Sequence, residues 1–287
     1  MGREYRFPPP MSPEGGSSHG CRARGDADST PEPGPDRWAV VGASREDGTM
    51  APVTAVVVGG GSGIGAAVAE RQRAAGVEVL TWDLIGGDLE CDILDAGAIE
   101  AATADTVARL GVPGLVTITA GIGHSGLLAD TPAEEWDRVL GVNAKGVWLV
   151  MRALARPMRA GEGGSIVATS SVSARLADRS MGLYCASKAA LDMLIAVAAA
   201  EWAPDVRVNG IAPGVTDTPM LGRAPRSGVW LAGVAGRTAL GRLGTADDIA
   251  EAVEAVHAMH WMTGQIVPCD GGLSLHSPID PLGDRRS

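Results

Sequence analysis

The segment YCASK places Tyr184 four residues before Lys188, and this pair has the residue types and spacing needed for proton transfer. The chain contains two tyrosines, Tyr5 and Tyr184, and two lysines, Lys145 and Lys188, against 22 arginines. Residues four apart lie on the same face of a helix. Arginine cannot replace the compact ammonium of lysine with its movable proton. The use of lysine here therefore indicates chemistry, although such a pair also occurs in helices by chance.

The chemistry expected of this pair is general acid–base catalysis by Tyr184. A free tyrosine has a pKa of about 10, so a shift of about 3 units is required before it can take up a proton near pH 7. A cation about 4 Å away, at an effective dielectric constant of about 20, supplies roughly the 4 kcal/mol that this shift requires. Lys188 is expected to contribute to it. Ser171, at the end of a predicted strand, is expected to hydrogen-bond the substrate oxygen.

A glycine-rich turn, VVVGGGSGIG, follows the first predicted strand and opens a helix. Gly59, Gly63 and Gly65 have the spacing G-x-x-x-G-x-G, and Ser62 and Ile64 lie between them. Glycines at such a turn let the backbone approach a pyrophosphate, which the helix N-terminus then binds. The turn predicts a dinucleotide site, with an ordinary tight turn as the alternative.

Asp83 ends the second predicted strand, 24 residues after Gly59. A carboxylate at this position can accept hydrogen bonds from both hydroxyls of an adenosine ribose, and it would repel a 2'-phosphate. The glycine turn carries no cation that would offset the repulsion. NAD is therefore favoured over NADP as the cofactor, with a solvated loop acid as the alternative interpretation of Asp83.

The rest of the sequence predicts a scaffold that brings such strand ends together. Short apolar runs bounded by glycine alternate with helical segments, which indicates buried parallel strands. Strands are expected over VTAVVVG, VEVLTWD, GLVTITAG, SIVATSS, VRVNGIAPG and QIVPCDGG. Helices are expected after the glycine turn and near 96–110, 132–159, 182–203 and 245–258. The predicted fold class is α/β: a single doubly wound Rossmann-type domain with about seven parallel strands flanked by helices.

The domain is expected over residues 50–274. Residues 1–49 are rich in Pro, Gly, Ser, Arg and Asp, which predicts a disordered extension. That extension is either a genuine tail or the product of a misassigned start codon before Met50. No signal peptide is predicted in it. Residues 275–287 are interpreted as a C-terminal tail.

Composition excludes several function classes. The 287-residue chain has a net charge of -10 and a pI near 5.0, so neither nucleic acid nor a membrane surface is expected as a partner. Its four cysteines form no CxxC pair, which favours reduced thiols and a cytoplasmic location. No membrane span is predicted. His257 and His260 have a metal-like spacing without a third ligand, so no metal is predicted.

Six motifs, taken together and in order, resemble the short-chain dehydrogenase/reductase family over residues 53–272. They are VGGGSGIG, VNAKG at 142–146, SSVSA at 170–174, YCASK, APGVTDTP at 212–219 and CDGG at 269–272. The resemblance implies an NAD(P)-dependent alcohol dehydrogenase or ketoreductase that acts on CH–OH groups. Matching these motifs then gives the implied site residues. The implied catalytic residues are Tyr184 as the general acid/base, Lys188 as its partner and nicotinamide-ribose ligand, Ser171 as the substrate-binding hydroxyl and Asn143 as the holder of a relay water.

The same resemblance implies further contacts with the cofactor. They come from Asp92 near the adenine, from Ala120, Gly121, Pro213, Gly214 and Thr216, and from Thr218 against the nicotinamide carboxamide. Two departures from the family pattern are visible. Val58 stands where the family usually has Thr, and Ile118-Thr119-Ala120-Gly121 replaces its usual N-N-A-G. Thr119 is expected to supply a weaker bond than the missing Asn.

The segment from Pro219 to Gly244 corresponds to the substrate lid of that family. It is rich in glycine and carries Trp230, Leu231 and Val234, which favours a mobile flap over an apolar ligand, with a plain surface loop as the alternative. The predicted substrate is therefore a hydrophobic secondary alcohol or ketone, hydroxysteroid-like or terpenoid-like, in an enzyme expected to be a homotetramer. The alternative hypotheses are an NADPH-dependent 3-oxoacyl thioester reductase and a non-catalytic dinucleotide-binding sensor.

Overall fold

The computed structural model describes residues 53–223 and 227–275. The predicted extension at 1–49 lies outside the described residues, and so does the predicted tail apart from residue 275. The strands are β1 (Thr54–Val58), β2 (Glu78–Asp83), β3 (Leu89–Glu90), β4 (Leu115–Ile118), β5 (Gly164–Thr169), β6 (Val206–Pro213), β7 (Thr216–Asp217), β8 (Gly244–Thr245) and β9 (Ile266–Cys269). The helices are α1 (Gly63–Ala74), α2 (Ala96–Leu110), α3 (Ala133–Leu140), α4 (Val147–Ala160), α5 (Gly182–Trp202), α6 (Gly228–Arg237) and α7 (Ala246–Ala258).

Seven of the strands form one parallel sheet in the order β3-β2-β1-β4-β5-β6-β9. The chain runs outward from β1 to β2 and β3, then returns to the other side of β1 with β4. The strand order therefore reverses between β1 and β4, and in sheets of this kind ligands bind outside the carboxyl ends of the strands at that point. This topology confirms the predicted doubly wound α/β fold.

Helices cover both faces of the sheet and bury its strands. One core cluster joins the sheet to α2, α4 and α5, and it includes the fully buried Trp82, Met151 and Leu191. The second cluster joins the opposite face to α1 and α7 through residues such as Val68 and Ile249. A strand buried on both faces needs a continuous apolar run rather than alternation, which explains why β1 reads TAVVV.

Three short strands have no counterpart in the sequence-based prediction. Strand β3 extends the sheet beside β2, while β7 and β8 form a separate two-stranded sheet in which Thr216 pairs with Gly244. Strands of two residues carry no recognisable periodicity, so contacts made in the folded chain determine them.

The helix expected near 132–159 is instead divided into three segments. Helix α3 ends at Leu140, a π-helical turn covers Gly141–Gly146, and α4 continues from Val147. A π-turn widens the helix by one residue and is frequent at functional sites. Here the turn contains Asn143, one of the predicted site residues.

The glycine-rich segment between Pro219 and Gly244 contains helix α6. The Ser227 side chain caps this helix by accepting a hydrogen bond of 3.2 Å from the Trp230 amide. The alternative of a plain surface loop is therefore wrong over these ten residues. No residue of α6 is buried.

Helix α5 is long and apolar enough to cross a membrane by length and composition, and it is the one such helix among the described residues. Seven of its residues are buried within the domain, including Lys188, Leu191 and Ile195. A core helix of a soluble protein passes the same test of composition, so this helix is weak evidence for a membrane span.

Candidate active site

Ser171 and Tyr184 meet at the carboxyl end of β5. Ser171 follows this strand and begins a short 3₁₀ turn, where its hydroxyl accepts a hydrogen bond of 3.1 Å from the Ser173 amide. Tyr184 lies in the first turn of α5. Burial raises the pKa of Tyr184, and a hydrogen bond with the Ser171 side chain opposes that rise. The two hydroxyls are therefore neighbours, as their predicted roles require.

The protein's own groups shift the pKa of Tyr184 upward, because burying a phenolate costs more than the hydrogen bond with Ser171 returns. The lowering expected from Lys188 together with the positive nicotinamide ring stays a prediction. The Lys188 Nζ lies 5.8 Å from the centroid of the tyrosine ring. The charge of Asp178 also raises the pKa of Tyr184.

Lys188 lies one helical turn after Tyr184 and is 4% exposed. Its Nζ donates a hydrogen bond of 2.8 Å to the carbonyl oxygen of Thr169, the last residue of β5. Burial lowers the pKa of Lys188 to about 8, and the charge of Asp192 works against this lowering. An ammonium with a pKa near 8 can exchange protons close to neutral pH, which arginine cannot do.

Asn143 connects this group to the loop after β4. Its Oδ1 accepts a hydrogen bond of 2.8 Å from the Ile122 amide, and its Nδ2 donates to the Ile122 carbonyl at 2.9 Å. The same Nδ2 donates to the Ser187 hydroxyl at 3.1 Å, next to Lys188 in α5. A Cβ atom on Gly121 would come within 3.5 Å of the Lys188 Nζ. The structure therefore brings all four predicted catalytic residues to one place.

The glycine turn lies at the reversal of strand order, between β1 and α1. Gly59 has a φ of +85°, and a Cβ atom there would lie 2.5 Å from the Ala120 amide nitrogen. A Cβ atom on Gly65 would lie 2.1 Å from the Gly59 carbonyl oxygen. Both positions therefore require glycine, the first for its conformation and the second for the close packing of the helix on the turn.

The N-terminus of α1 is suited to a phosphate group. Ser62 precedes the helix, and its side chain makes no capping hydrogen bond with the described residues. The first turn, which contains Gly63 and Ile64, carries no acidic residue. The amide groups and the positive dipole end of this helix are therefore available to an anion. The predicted residues around this turn fit the pyrophosphate of a dinucleotide.

Asp83 lies beside this turn at the end of β2. Its Oδ2 accepts a hydrogen bond of 2.9 Å from the Gly61 amide, and its Oδ1 accepts one of 3.2 Å from the Ile85 amide. A Cβ atom on Gly61 would lie 2.4 Å from the Ile85 carbonyl oxygen. Gly61 belongs to the run of three glycines but was not predicted as a site residue from the sequence. Asp92 is exposed and accepts a hydrogen bond from the Leu94 amide at 2.9 Å.

The loop after β6 approaches the glycine turn from the opposite side. A Cβ atom on Gly63 would lie 3.6 Å from the Cβ of Thr218. Pro213 ends β6, and the Gly214 amide donates a hydrogen bond of 3.1 Å to the Cys269 carbonyl. The Thr216 hydroxyl donates to the Gly214 carbonyl at 3.1 Å, which holds the loop in shape.

The altered segment after β4 is accommodated by Thr119. Its hydroxyl lies within hydrogen-bonding distance of the Val58 carbonyl at 3.2 Å and of the Gly59 carbonyl at 3.0 Å. The neighbouring Ala120 amide donates to the Val58 carbonyl at 3.2 Å. The end of β4 is therefore tied to the glycine turn, which confirms the expectation that Thr119 supplies a bond at this position.

The histidines that the structure describes form no metal centre with each other. His257 is fully buried, and its ring lies 3.0 Å from the Thr117 hydroxyl and 2.9 Å from the Ser165 hydroxyl. His124 lies in the loop after β4, where its Nε2 is 3.8 Å from the Glu135 carboxylate. Among residues 53–223 and 227–275, no three His, Cys, Asp or Glu side chains are grouped so as to hold a metal ion.

Two polar residues next to the site were not predicted from the sequence. Asp192 lies one turn after Lys188 on α5, and Ser170 directly precedes Ser171. The Ser170 hydroxyl donates a hydrogen bond to the Asp192 carboxylate. The spacing of four residues between Lys188 and Asp192 could have indicated that Asp192 lies near the site, because it places both residues on one helix face.

Together the site combines a half-buried proton donor or acceptor, a neighbouring ammonium and a hydroxyl, at the sheet edge that also carries a turn fitting a dinucleotide. Such an arrangement can bind a substrate oxygen and move a proton at it. The buried surroundings strengthen these polar interactions, because fewer water molecules compete with them.

Comparison with known proteins gives similarities over nearly the whole described chain. Residues 59–274 match the family profile described as enoyl-(acyl carrier protein) reductase. The chain is 35% identical over 243 residues to the short-chain reductase protein NovJ of Streptomyces niveus, with coverage of 76% of this chain and 92% of that protein. It is 32% identical over 248 residues to a (3R)-3-hydroxyacyl-CoA dehydrogenase of Canis lupus familiaris, with coverage of 76% and 95%.

Among solved structures, the ligand-free aldohexose dehydrogenase of Thermoplasma acidophilum has a similar fold. The TM-score is 0.75 at 26% sequence identity, and the similarity covers 80% of this chain and 96% of that one. The matched residues 59–274 include every predicted catalytic and cofactor-binding residue.

Proposed function

The chain belongs to the short-chain dehydrogenase/reductase family, and we propose that it is an NAD-dependent enzyme that transfers a hydride between the nicotinamide and a hydrophobic secondary alcohol or ketone. As a member of this family it is an oxidoreductase that acts on CH–OH groups. The observation that carries the proposal is the meeting of Tyr184, Ser171 and Lys188 at the sheet edge that also carries the glycine turn.

Tyr184 is the proposed proton acceptor during alcohol oxidation and the proton donor during ketone reduction. Burial raises its pKa, so the hydroxyl stays protonated at neutral pH and is ready to donate in the reductive direction. Nicotinamide, when bound, accepts or donates the hydride, and its oxidised form carries a positive charge. Lys188 adds a second positive charge on the same side of α5, which favours the phenolate in the oxidative direction.

Ser171 and Asn143 support this proton transfer. The Ser171 hydroxyl is the proposed hydrogen-bond partner of the substrate oxygen, since it already lies beside Tyr184. Asn143 holds the backbone of Ile122 through two hydrogen bonds and contacts Ser187 in α5. It therefore fixes the loop after β4 against the helix that carries Tyr184 and Lys188. A relay of protons through water at Asn143 remains part of the proposal.

The preference for NAD over NADP rests on the charges around the end of β2. The Asp83 carboxylate lies beside Gly61 and would repel a 2'-phosphate. Arg73, at the end of α1, has its guanidinium 2.9 Å from the Asp88 carboxylate. Asp88 in turn accepts hydrogen bonds from the amide and hydroxyl of Thr81, so it is well placed to keep Arg73 paired. The arrangement therefore favours two free ribose hydroxyls over a phosphate.

The preference for an apolar substrate rests on the segment from Pro219 to Gly244. Helix α6 has no buried residue, and its Trp230, Leu231 and Val234 are half-buried. Met220 approaches the loop after β4, because a Cβ atom on Gly123 would lie 3.9 Å from its Cγ. Apolar side chains on a surface helix beside the site suit a lid that closes over an apolar ligand.

A 3-oxoacyl thioester reductase is the second candidate function. One observation favours it: the similarity to a protein named (3R)-3-hydroxyacyl-CoA dehydrogenase, at 32% identity. The Asp83 carboxylate argues against the NADPH dependence of that hypothesis. A matched pair of substrates, an acetoacetyl thioester and an apolar cyclic ketone, distinguishes the two functions by their relative kcat/KM values.

We also propose that the enzyme is a cytoplasmic homo-oligomer, either a tetramer or a dimer, and we favour the tetramer. Helices α4 and α5 present large apolar side chains to the surface, namely Trp148 at 36%, Val197 at 45% and Met193 at 65% exposure. Arg152 stacks over the Trp148 ring at 5.0 Å. A second copy of the chain would cover this apolar surface, which a monomer would leave in water.

The test of the proposed function combines cofactor titration with turnover. Wild type and Asp83→Ala are titrated with NAD(H) and NADP(H), and wild type is assayed with a panel of secondary alcohols and ketones that includes the matched pair. The proposal expects tighter binding of NAD(H) than of NADP(H), reduced NAD(H) affinity in Asp83→Ala, and turnover of an apolar substrate. Preference for NADP(H) would contradict the role of Asp83, and binding without any turnover would favour the dinucleotide-sensor hypothesis.

A further inference from the structure

Lys188 is a buried cation, and burial of a charge requires compensation by neighbouring groups. Its side chain is 4% exposed, and its Nζ donates to the Thr169 carbonyl at 2.8 Å. A single neutral carbonyl oxygen stabilises the ammonium charge less than the surrounding water molecules would. Burial accordingly lowers the pKa of Lys188 to about 8. This value already includes an opposing negative charge, that of Asp192, without which burial would lower the pKa of Lys188 further.

Asp192 is the carboxylate that the fold brings towards Lys188: it accepts a hydrogen bond from the Ser170 hydroxyl, and the Lys188 Nζ donates to the carbonyl of the adjacent Thr169. It lies one helical turn beyond Lys188 on the same face of α5. Its charge raises the pKa of Lys188, and the charge of Lys188 lowers the pKa of Asp192, so the two side chains are electrostatically coupled. Burial nevertheless raises the pKa of Asp192 overall. The carboxylate is thus itself partly removed from water, which strengthens its interaction with Lys188.

The Asp192 carboxylate is held in place from the side of β5. It accepts a hydrogen bond from the Ser170 hydroxyl, and Ser170 is fixed by its amide, which donates to the Ile211 carbonyl at 2.7 Å. On the outer side, the Arg175 Nε lies 3.9 Å from the carboxylate, with an Arg175 side chain that is 57% exposed. The charged groups that act on Asp192 are therefore Arg175 and Lys188.

We propose that Asp192 is a positioning residue that, held by Ser170, supplies the counter-charge for the buried Lys188 ammonium. Its effect on turnover rests on the proposed function, because Lys188 matters for catalysis only if Tyr184 transfers the proton. Its effect on the charge of Lys188 does not depend on any substrate or cofactor.

The lysine content of the chain allows a direct test by NMR. The sequence has only Lys145 and Lys188, so labelling of lysine with carbon-13 gives two side-chain signals. Lys145 is exposed, which provides an internal reference. The titration midpoint of Lys188 is measured in wild type, Asp192→Asn, Asp192→Glu and Ser170→Ala. Asparagine keeps an oxygen that accepts from Ser170 and removes only the charge.

Asp192→Asn should move the Lys188 midpoint at least about 0.5 pH unit below that of wild type, because burial then acts without the opposing charge. Asp192→Glu should restore most of that change. Ser170→Ala, which keeps the carboxylate, should shift the midpoint by less than half as much as Asp192→Asn. If circular dichroism shows that Asp192→Asn does not fold, Asp192→Ser takes its place in the same comparison.

Two results would overturn the inference. One is a Lys188 midpoint in Asp192→Asn within about 0.2 unit of wild type, which would mean that the carboxylate does not sustain the ammonium. The other is a shift in Ser170→Ala as large as that in Asp192→Asn, which would assign the effect to the hydrogen bond. Turnover that persists in Tyr184→Phe would contradict the proposed function instead, and it would leave the NMR comparison unaffected.

Discussion

Acid should destabilise this protein through the buried His257. The ring lies between the hydroxyls of Thr117 in β4 and Ser165 in β5, so a side chain from α7 joins two central strands. Burial, together with the positive charge of Arg207, lowers the pKa of His257 to about 3. Arg207 also donates a hydrogen bond of 2.8 Å to the backbone carbonyl of His257, which keeps that charge close.

The magnitude follows from the difference between the folded and unfolded pKa values of this histidine. In the unfolded chain the imidazole has its ordinary pKa of about 6.5, so between pH 6.5 and pH 3 the unfolded state binds a proton that the folded state excludes. Stability is therefore unaffected by His257 above pH 6.5 and falls as the pH drops below it. From pH 7.5 to pH 4.5 the loss is about 3 kcal/mol.

Urea unfolding at pH 7.5 and pH 4.5 measures this loss, with His257→Gln as the matched variant. Glutamine still reaches one of the two hydroxyls but leaves the other unpaired, so the variant should be about 1–3 kcal/mol less stable than wild type at pH 7.5. Glutamine also has no group that gains a proton in acid. Its further loss at pH 4.5 should be smaller than the wild-type loss by about 3 kcal/mol. Equal losses in the two proteins would refute the reasoning.

Three further predictions concern the cofactor turn and the helix surface. Gly65→Ala places a Cβ atom 2.1 Å from the Gly59 carbonyl oxygen, so NADH affinity measured by fluorescence should fall by at least about tenfold, and unchanged affinity would contradict the required contact. Thr119→Val removes the hydroxyl near the Val58 and Gly59 carbonyls, so urea unfolding should show a loss of about 1 kcal/mol, and no loss would mean that these bonds are not stabilising. Met193→Glu places a charge on the exposed face of α5, so light scattering should show a smaller oligomer, and an unchanged mass would place the subunit contact elsewhere.

The main elements of the fold could be predicted because their signals are local. Strand β1 reads as an unbroken apolar run between proline and glycine, and α5 reads as a long apolar helix. The order of these elements then restricts the topology to a doubly wound sheet. The predicted site residues gather for the same reason, since most of them directly follow a parallel strand.

The features that could not be predicted depend on contacts between distant segments. Strand β3 has two residues and exists because β2 lies beside it. Helix α6 forms in a sequence with three glycines, where the Ser227 cap outweighs a low helix propensity. The upward pKa shift of Tyr184 was missed because it depends on burial, which the motif does not encode.

The central claim is that Tyr184 transfers the proton, and Tyr184→Phe tests it most directly. Phenylalanine keeps the ring beside Lys188 and removes only the hydroxyl that lies next to Ser171. Turnover of the best substrate from the panel should fall by about 100-fold to 10,000-fold, while NADH affinity remains within about twofold of wild type. Turnover that stays within tenfold of wild type would contradict the account.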